Sequence, residues 1–203
     1  MIEIKYKIGI DEVGRGPVAG PVAVCVSLIK VSDEEKIKGL LTEVRDSKKI
    51  AEKKRIRIFN KIKDVRNERL IISAISMVSA PDIDKIGISK SIQKALDTAL
   101  EKVSAKFKLD ELKVLLDGGL KCSSKFKNQQ TIIKGDEKEF IISLSSIIAK
   151  VLRDKKMIKY AEQYPEYFLE KNKGYGTKQH MEAIQKYGLT KIHRKSFLKR
   201  FLK

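Results

Sequence analysis

The spacing of apolar positions changes several times along the chain, and each change predicts an element. Residues 6–10 are short and mostly apolar and run into a Gly-rich turn, while residues 18–28 are dense in Val and Ala. Together they predict a β-hairpin at the start of a sheet. Across residues 51–65, Ile58, Phe59, Ile62 and Val65 recur at helical spacing. Residues 70–78 return to a β-type run. The clearest amphipathic helix carries Ile92, Leu96, Ala99, Leu100, Val103 and Phe107. Residues 113–116 read as a buried strand ending at Asp117-Gly118-Gly119, and 131–133 as a short strand ending at Gly135-Asp136. A long helix is predicted from Phe140 past Tyr160, buried at Ile147, Ile148, Val151 and Leu152. The last quarter reads as helical and basic, with Thr177 an N-cap for a helix that ends near Gly188.

Strands interspersed with helices predict an α/β chain, a mixed sheet flanked by helices. No internal repeat or long linker divides it, so residues 1–203 are expected to form one catalytic domain, with 160–203 a helical C-terminal portion. The 44 Lys and Arg against 26 Asp and Glu give a net charge of +18, a field that attracts polyanions, nucleic acid before an anionic membrane. The longest apolar stretch, residues 17–29, is too short to span a bilayer and contains two prolines, so no membrane segment is expected. With no signal-peptide pattern and two cysteines at no metal or disulfide spacing, a cytoplasmic setting fits.

Three acidic sites share one context. Asp11-Glu12 follows the strand ending at Ile10, Asp117 follows Leu116, and Asp136 follows Ile133-Lys134-Gly135. Carboxylates gathered at one sheet edge of a basic protein would form a hard-oxygen site for Mg²⁺ or Mn²⁺. Two such ions can serve phosphodiester cleavage. Taken singly, each Asp reads more readily as a turn former or helix cap, and spacing alone does not bring the four together.

The segment Gly9-Ile10-Asp11-Glu12-Val13-Gly14-Arg15-Gly16-Pro17 resembles the N-terminal signature of type 2 ribonucleases H, specifically the ribonuclease HII family. Further segments follow in the family's order: Arg45-Asp46-Ser47-Lys48-Lys49, Leu116-Asp117-Gly118, Lys134-Gly135-Asp136, Ile147 to Asp154, Lys173-Gly174-Tyr175-Gly176-Thr177, and His193-Arg194-Lys195-Ser196-Phe197. The resemblance implies an RNase H-like fold. It also implies two divalent ions, Mg²⁺ or Mn²⁺, on Asp11, Glu12, Asp117 and Asp136. The implied activity is hydrolysis 5′ of ribonucleotides in RNA/DNA hybrids and of single ribonucleotides in duplex DNA, leaving 3′-hydroxyl and 5′-phosphate ends. Gly14, Arg15 and Gly16 would contact the ribonucleotide and its 2′-hydroxyl. Tyr175 would reach the same hydroxyl and stack on the next sugar. Ser47, Lys48 and Lys49 would meet the phosphate backbone, and Asp46 would order their loop.

One departure stands at Ser143-Leu144-Ser145-Ser146, where the family more often has Ala in place of Leu144; shifted helix packing beneath Asp136, with little effect on chemistry, is the expectation. The stretch from Gly119 to Gln130 reads as a loop. His180 and His193 read as structural or DNA-facing, Cys25 as core packing and Cys122 as loop surface. Three rival readings compete. A non-catalytic nucleic-acid module would not need four carboxylates. A ribonuclease HIII usually carries an extra N-terminal domain, for which a signature beginning at residue 9 leaves no room. A membrane-surface protein would need an anchor. A monomer is expected, and the short amphipathic tail from Phe197 to Leu202 would cap the core or touch a sliding clamp.

Overall fold

Strand β1 (Tyr6–Val13) runs through the centre of the molecule, with Ile8 and Ile10 on one face and Gly9 on the other. A computed structural model describes residues 3–44, 50–199 and 201. β1 pairs antiparallel with β2 (Val22–Lys30), the expected hairpin, with Tyr6 opposite Lys30 and Val13 opposite Ala23. β3 (Ile71–Val78) adds antiparallel to β2, while β4 (Leu112–Asp117) lies parallel to β1 and β5 (Gln129–Ile132) parallel to β4. The sheet is therefore mixed, in the order β3-β2-β1-β4-β5.

Helices cover both faces, and so β2 is buried along all but its last residue. The helices in chain order are α1 (Glu34–Leu40), α2 (Glu52–Asn67), α3 (Ala80–Ile86), α4 (Ile88–Ser104), α5 (Gly135–Lys138), α6 (Phe140–Gln163), α7 (Leu169–Asn172), α8 (Lys178–Tyr187) and α9 (Lys195–Leu198). On one face α4 packs Ile92, Leu96, Ala99, Leu100 and Val103 with Ile8, Ile10, Val24 and Val26. On the other, Ile58 and Ile62 of α2 and Ile141, Leu144 and Ile147 of α6 meet Cys25, Ile29 and Leu115. This two-sided packing fixes the register of β1. A one-residue slip would turn Ile8 and Ile10 out of the α4 core, forfeiting on the order of 4 kcal/mol of apolar burial.

The second half of α6 with α7, α8 and α9 forms a smaller core around Met157, Tyr167, Leu169, Ile184, Ile192 and Leu198, joined by Ala19. Thr177 caps α8 as expected, its hydroxyl accepting from His180 N at 3.4 Å, and the helix ends at Gly188. Two expectations change. β1 does not stop at Ile10 but continues to Val13, because Asp11 and Glu12 pair with Cys25 and Val24 of β2. Asp136 lies inside the short helix α5 rather than at the end of a strand. The stretch after Asp117 is irregular, as read, but Leu120 and Phe126 anchor it in the α4-side core.

Candidate active site

The parallel pairing of β1 and β4 decides the centre of the site. Ile10 lies opposite Leu116, so the next residues, Asp11 and Asp117, stand side by side, Asp117 at the end of β4 and Asp11 where β1 runs on past it to Val13. Alternation puts both on the face covered by α6, Asp11 with Gly9 and Asp117 with Leu115. Both carboxylates are buried. With strands about 4.8 Å apart, two anions so placed raise each other's energy unless donors or cations meet them. Gly135 N donates to Asp117 Oδ1 at 2.6 Å, and Glu12 N donates to Asp11 Oδ1 at 2.9 Å. Glu12 alternates to the other face yet opens into the same cavity at the strand end.

Asp136 comes next after Gly135, so the contact between Gly135 and Asp117 holds its backbone one residue from the Asp117 carboxylate, and its side chain is fully buried. The first turns of α6 tie these parts together. Ser143 Oγ donates to the carbonyl of Asp136, and Ser145 Oγ donates to Gly9 O at 2.8 Å. Leu144 points into the α6-side core, fully buried, so its extra bulk is taken up away from the carboxylates.

Asp11, Glu12 and Asp117 share a cavity of about 360 Å³ with Gly14, Arg15, Gly16 and Tyr175. Asp136 is not among the lining residues. A larger cavity, about 890 Å³, between α1 and α5 carries Glu34, Lys38 and Glu137 but none of the four carboxylates. Ser47, Lys48 and Lys49, with Asp46, lie outside the described residues. The candidate ligands present only hard oxygen donors, the set that Mg²⁺ and Mn²⁺ take. Among the described residues no group of three or more His, Cys, Asp or Glu is by itself placed to hold a metal ion. Ions of this kind commonly complete their shells with water and substrate phosphate rather than with protein alone. By that chemistry the residues fit the ions.

The opposite wall is a backbone loop held from beneath. Gly14 has φ +88°, and a Cβ there would lie 2.8 Å from Pro21 O and nearer still to Arg153 Nε. Arg153, fully buried, donates to Pro21 O at 2.9 Å, Lys173 O at 3.0 Å and Ala19 O at 3.3 Å. Arg194, also fully buried, donates to Gly14 O at 2.7 Å, Arg15 O at 3.0 Å and Gly20 O at 3.0 Å. Burial, and then the Arg153 charge, pulls Arg194 below the ordinary guanidinium range, and a guanidinium remains cationic at neutral pH all the same. Arg15 itself is exposed, with Nη1 3.9 Å from Glu12 Oε1. Tyr175 stands 45% exposed at the rim. Its loop is stitched to the other, Val18 N and Ala19 N both donating to Gly174 O at 2.9 and 3.1 Å.

Sequence reasoning missed Arg55, Ser146 and Lys150 on the cavity wall and the two buried arginines under it. A signal for three of them was present. Ser143, Ser146, Lys150 and Arg153 form a polar stripe at helical spacing along a helix otherwise read as buried. Arg194 stands in the family segment His193–Phe197, but no local spacing gives it a role, since its partners lie about 180 residues away in sequence. The DNA-facing alternative for the histidines is overturned, since both are buried. Cys25 is core, with burial pushing its thiol up to about 12. Cys122 is not loop surface. It packs, half-buried, against the α4-side core, 3.2 Å from Gln129 Oε1.

A family profile described as Ribonuclease HII matches residues 8–200. A Ribonuclease HII from Fusobacterium nucleatum is 41% identical over 202 residues, covering 99% of this chain and 89% of the relative. The crystal structure of ribonuclease H2 from Pyrococcus horikoshii OT3 superposes with a TM-score of 0.75 at 25% identity, covering 98% of this chain and 99% of that one. The structure of a PCNA:RNase HII complex from Archaeoglobus fulgidus shares the fold, with a TM-score of 0.72 at 23% identity over 93% of each chain. The match in sequence runs nearly end to end and takes in every motif around the cavity: the chain belongs to the ribonuclease HII family, endonucleases that hydrolyse RNA in RNA/DNA hybrids.

Proposed function

We propose that this enzyme hydrolyses the phosphodiester bond 5′ of ribonucleotides, both in RNA/DNA hybrids and at single ribonucleotides embedded in duplex DNA, leaving 3′-hydroxyl and 5′-phosphate ends. The observation that carries the reading is that Asp11 and Asp117, the residues following the paired Ile10 and Leu116, line one cavity together with Gly14–Gly16 and Tyr175. Asp11, Glu12, Asp117 and Asp136 would hold two divalent ions, Mg²⁺ or Mn²⁺. When bound, such ions supply an activated water and charge compensation for the leaving oxygen. Lys150, on the same cavity, carries a positive charge toward the scissile phosphate while paired with Asp154 at 2.9 Å.

Recognition falls to the opposite wall. A Cβ added at Gly16 would meet only Tyr175 Cε1, at 3.9 Å. The protein itself therefore leaves room at Gly16, and that room suits close approach of a ribose and its 2′-hydroxyl, the group that separates RNA from DNA. The Tyr175 ring beside it is assigned to the sugar that follows. The net charge of +18 holds the duplex, with Ser47, Lys48 and Lys49 as further phosphate contacts and residues 160–203 as the substrate-contacting portion of a single domain. Ribonucleotide excision repair and primer removal, carried out by a monomer in the cytoplasm, are the corresponding roles. No helix among the described residues is long and apolar enough to cross a membrane. For a sliding-clamp contact, the Archaeoglobus complex is the support. Here Leu198 of the tail is buried in the C-terminal core while Phe197 and Phe201 are exposed, which leaves those two rings as the residues to offer.

The test is a labelled DNA duplex carrying one ribonucleotide, incubated with and without Mg²⁺ or Mn²⁺. A metal-dependent nick on the 5′ side of the ribose is expected. Cutting of long hybrids alone would point to ribonuclease HIII-like specificity, and binding without a nick would leave only a nucleic-acid-binding module.

A further inference from the structure

The two histidines of this chain face each other in the C-terminal core, and neither lines the cavity. Their partners determine every proton between them. His193 Nδ1 lies 3.0 Å from Thr190 N, a backbone donor, so that nitrogen must accept. His180 Nδ1 lies 2.9 Å from Tyr175 O, a carbonyl that can only accept, so that nitrogen must donate. The two Nε2 atoms are 3.2 Å apart. With both rings neutral there is one consistent arrangement: His193 Nε2–H donates to His180 Nε2, and His180 Nδ1–H donates to Tyr175 O. A proton added to either ring would set two N–H groups against each other. Burial at both rings, and for His193 the neighbouring His180 as well, outweighs the Tyr175 and Thr190 contacts that by themselves would favour such a charge. Tyr167, its ring centroid 4.9 Å from that of His193, has its phenol committed to Gly188 O at 2.8 Å, and Arg194, next in the chain, is a cation.

Both ends of this relay touch the recognition wall. Tyr175 O also accepts from Thr177 N at 2.8 Å, so two donors hold the carbonyl of the rim tyrosine. At the other end, His193 bridges to Ala19, Arg194 N donates to Val18 O at 2.8 Å, and the Arg194 side chain holds Gly14 and Arg15. We infer that the His180–His193 pair is a positioning device that registers Tyr175 against the Gly14–Gly16 loop and so sets how well the enzyme discriminates a single embedded ribonucleotide from continuous RNA. The inference rests on the reading of Tyr175 given above. The pair touches no reacting atom; it acts through the Tyr175 backbone. Burial holds both imidazoles below their ordinary range, which keeps the relay neutral in the working pH range.

Two measurements test it. With only two histidines in the sequence, long-range nitrogen–proton NMR of the intact protein reads the tautomers directly. His180 should be the Nδ1–H form and His193 the Nε2–H form at neutral pH; the opposite tautomers or an imidazolium would overturn the relay. Kinetics then compares kcat/KM on a duplex with one ribonucleotide and on a continuous hybrid. His193→Leu removes the donor to His180, and the ratio of the two values should fall roughly tenfold, as for loss of one supporting hydrogen bond around a site. His193→Gln, whose amide can place a donor where Nε2 was, should restore the ratio. A purely structural pair would lower the urea midpoint of His193→Leu and leave the ratio unchanged, and that result would overturn the proposal. Tyr175→Ala separates the two claims. If it changes the ratio and His193→Leu does not, the relay fails; if Tyr175→Ala itself leaves the ratio unchanged, the reading of Tyr175 fails. Should His193→Leu not fold, the tautomers still decide.

Discussion

Replacing Gly9 by alanine probes the seam on which the active site is built. In the middle of a strand, alanine is intrinsically better than glycine by roughly 0.5–1 kcal/mol, because glycine loses more backbone entropy on folding. Here the tertiary contact reverses the sign. The new Cβ would lie 2.7 Å from Ile142 N and nearer still to Ile141 O and C, all backbone atoms that no rotamer change can remove. To reach an ordinary separation of about 3.5 Å, β1 and α6 must part by roughly 1 Å. Overpacking of this kind costs about 1–3 kcal/mol. The parting also stretches the 2.8 Å bond from Ser145 Oγ to Gly9 O, worth about 1 kcal/mol when buried. Net of the intrinsic gain, the expected loss is therefore about 1–3.5 kcal/mol, a fall in Tm of roughly 2–14 °C for a chain of this size. Asp11 lies two residues along the same strand, and a 1 Å misplacement of a reacting group costs about 100-fold in rate. Urea and thermal unfolding measure the first quantity, and nicking of a ribonucleotide-containing duplex the second. A Gly9→Ala protein with unchanged midpoint and unchanged nicking would refute the claim that α6 presses directly on β1 beneath the carboxylates.

Other expectations follow from the same geometry. Asp117→Asn keeps an oxygen to accept from Gly135 N but loses the charge, so cleavage should vanish while duplex binding, measured by gel shift, survives; retained turnover would remove Asp117 from the metal site. Arg194→Lys cannot reach Gly14 O, Arg15 O and Gly20 O together, and losing two charge-assisted bonds at about 1.5–3 kcal/mol each should lower the urea midpoint and slow nicking. An unaltered midpoint would mean the loop does not depend on that cradle. Acid should weaken the fold through His193, whose pKa burial and then His180 lower to about 4 from an ordinary 6.5. The folded state refuses a proton that the unfolded chain accepts, so the stability present above pH 6.5 declines as pH falls toward 4. The loss is about 2 kcal/mol once solvent screening is allowed for. Urea midpoints of the wild type and His193→Gln across this window should converge toward the acid end, and parallel curves would show that His193 carries no such linkage.

Much of the fold was legible because its two commonest signals are local. Helical spacing in α2, α4 and α6 and the Val- and Ala-rich run of β2 reflect which face of each element is buried, and burial is written in the order of residues. The Thr177 cap and the Gly188 stop are local as well. Where local signals were weak, the reading failed at boundaries. Asp11 and Glu12 are poor strand formers by composition, yet pairing with Cys25 and Val24 carries β1 through them. The short helices α1 and α3 are too brief to show a period.

By itself, then, the sequence determined the kinds of element, their approximate extents, the excess of positive charge, and through its ordered motifs the family and the acidic residues to consider. Only the tertiary structure decided that Ile10 pairs with Leu116, which sets Asp11 beside Asp117. It alone decided that Arg153 and Arg194 leave solvent to hold the carbonyls of the recognition loop, and that His180 and His193 meet. The physical reason is common to all of these. A buried arginine, a histidine pair and two adjacent carboxylates are each unfavourable alone and are stabilised by partners far away in the chain, and no local pattern records where those partners will be.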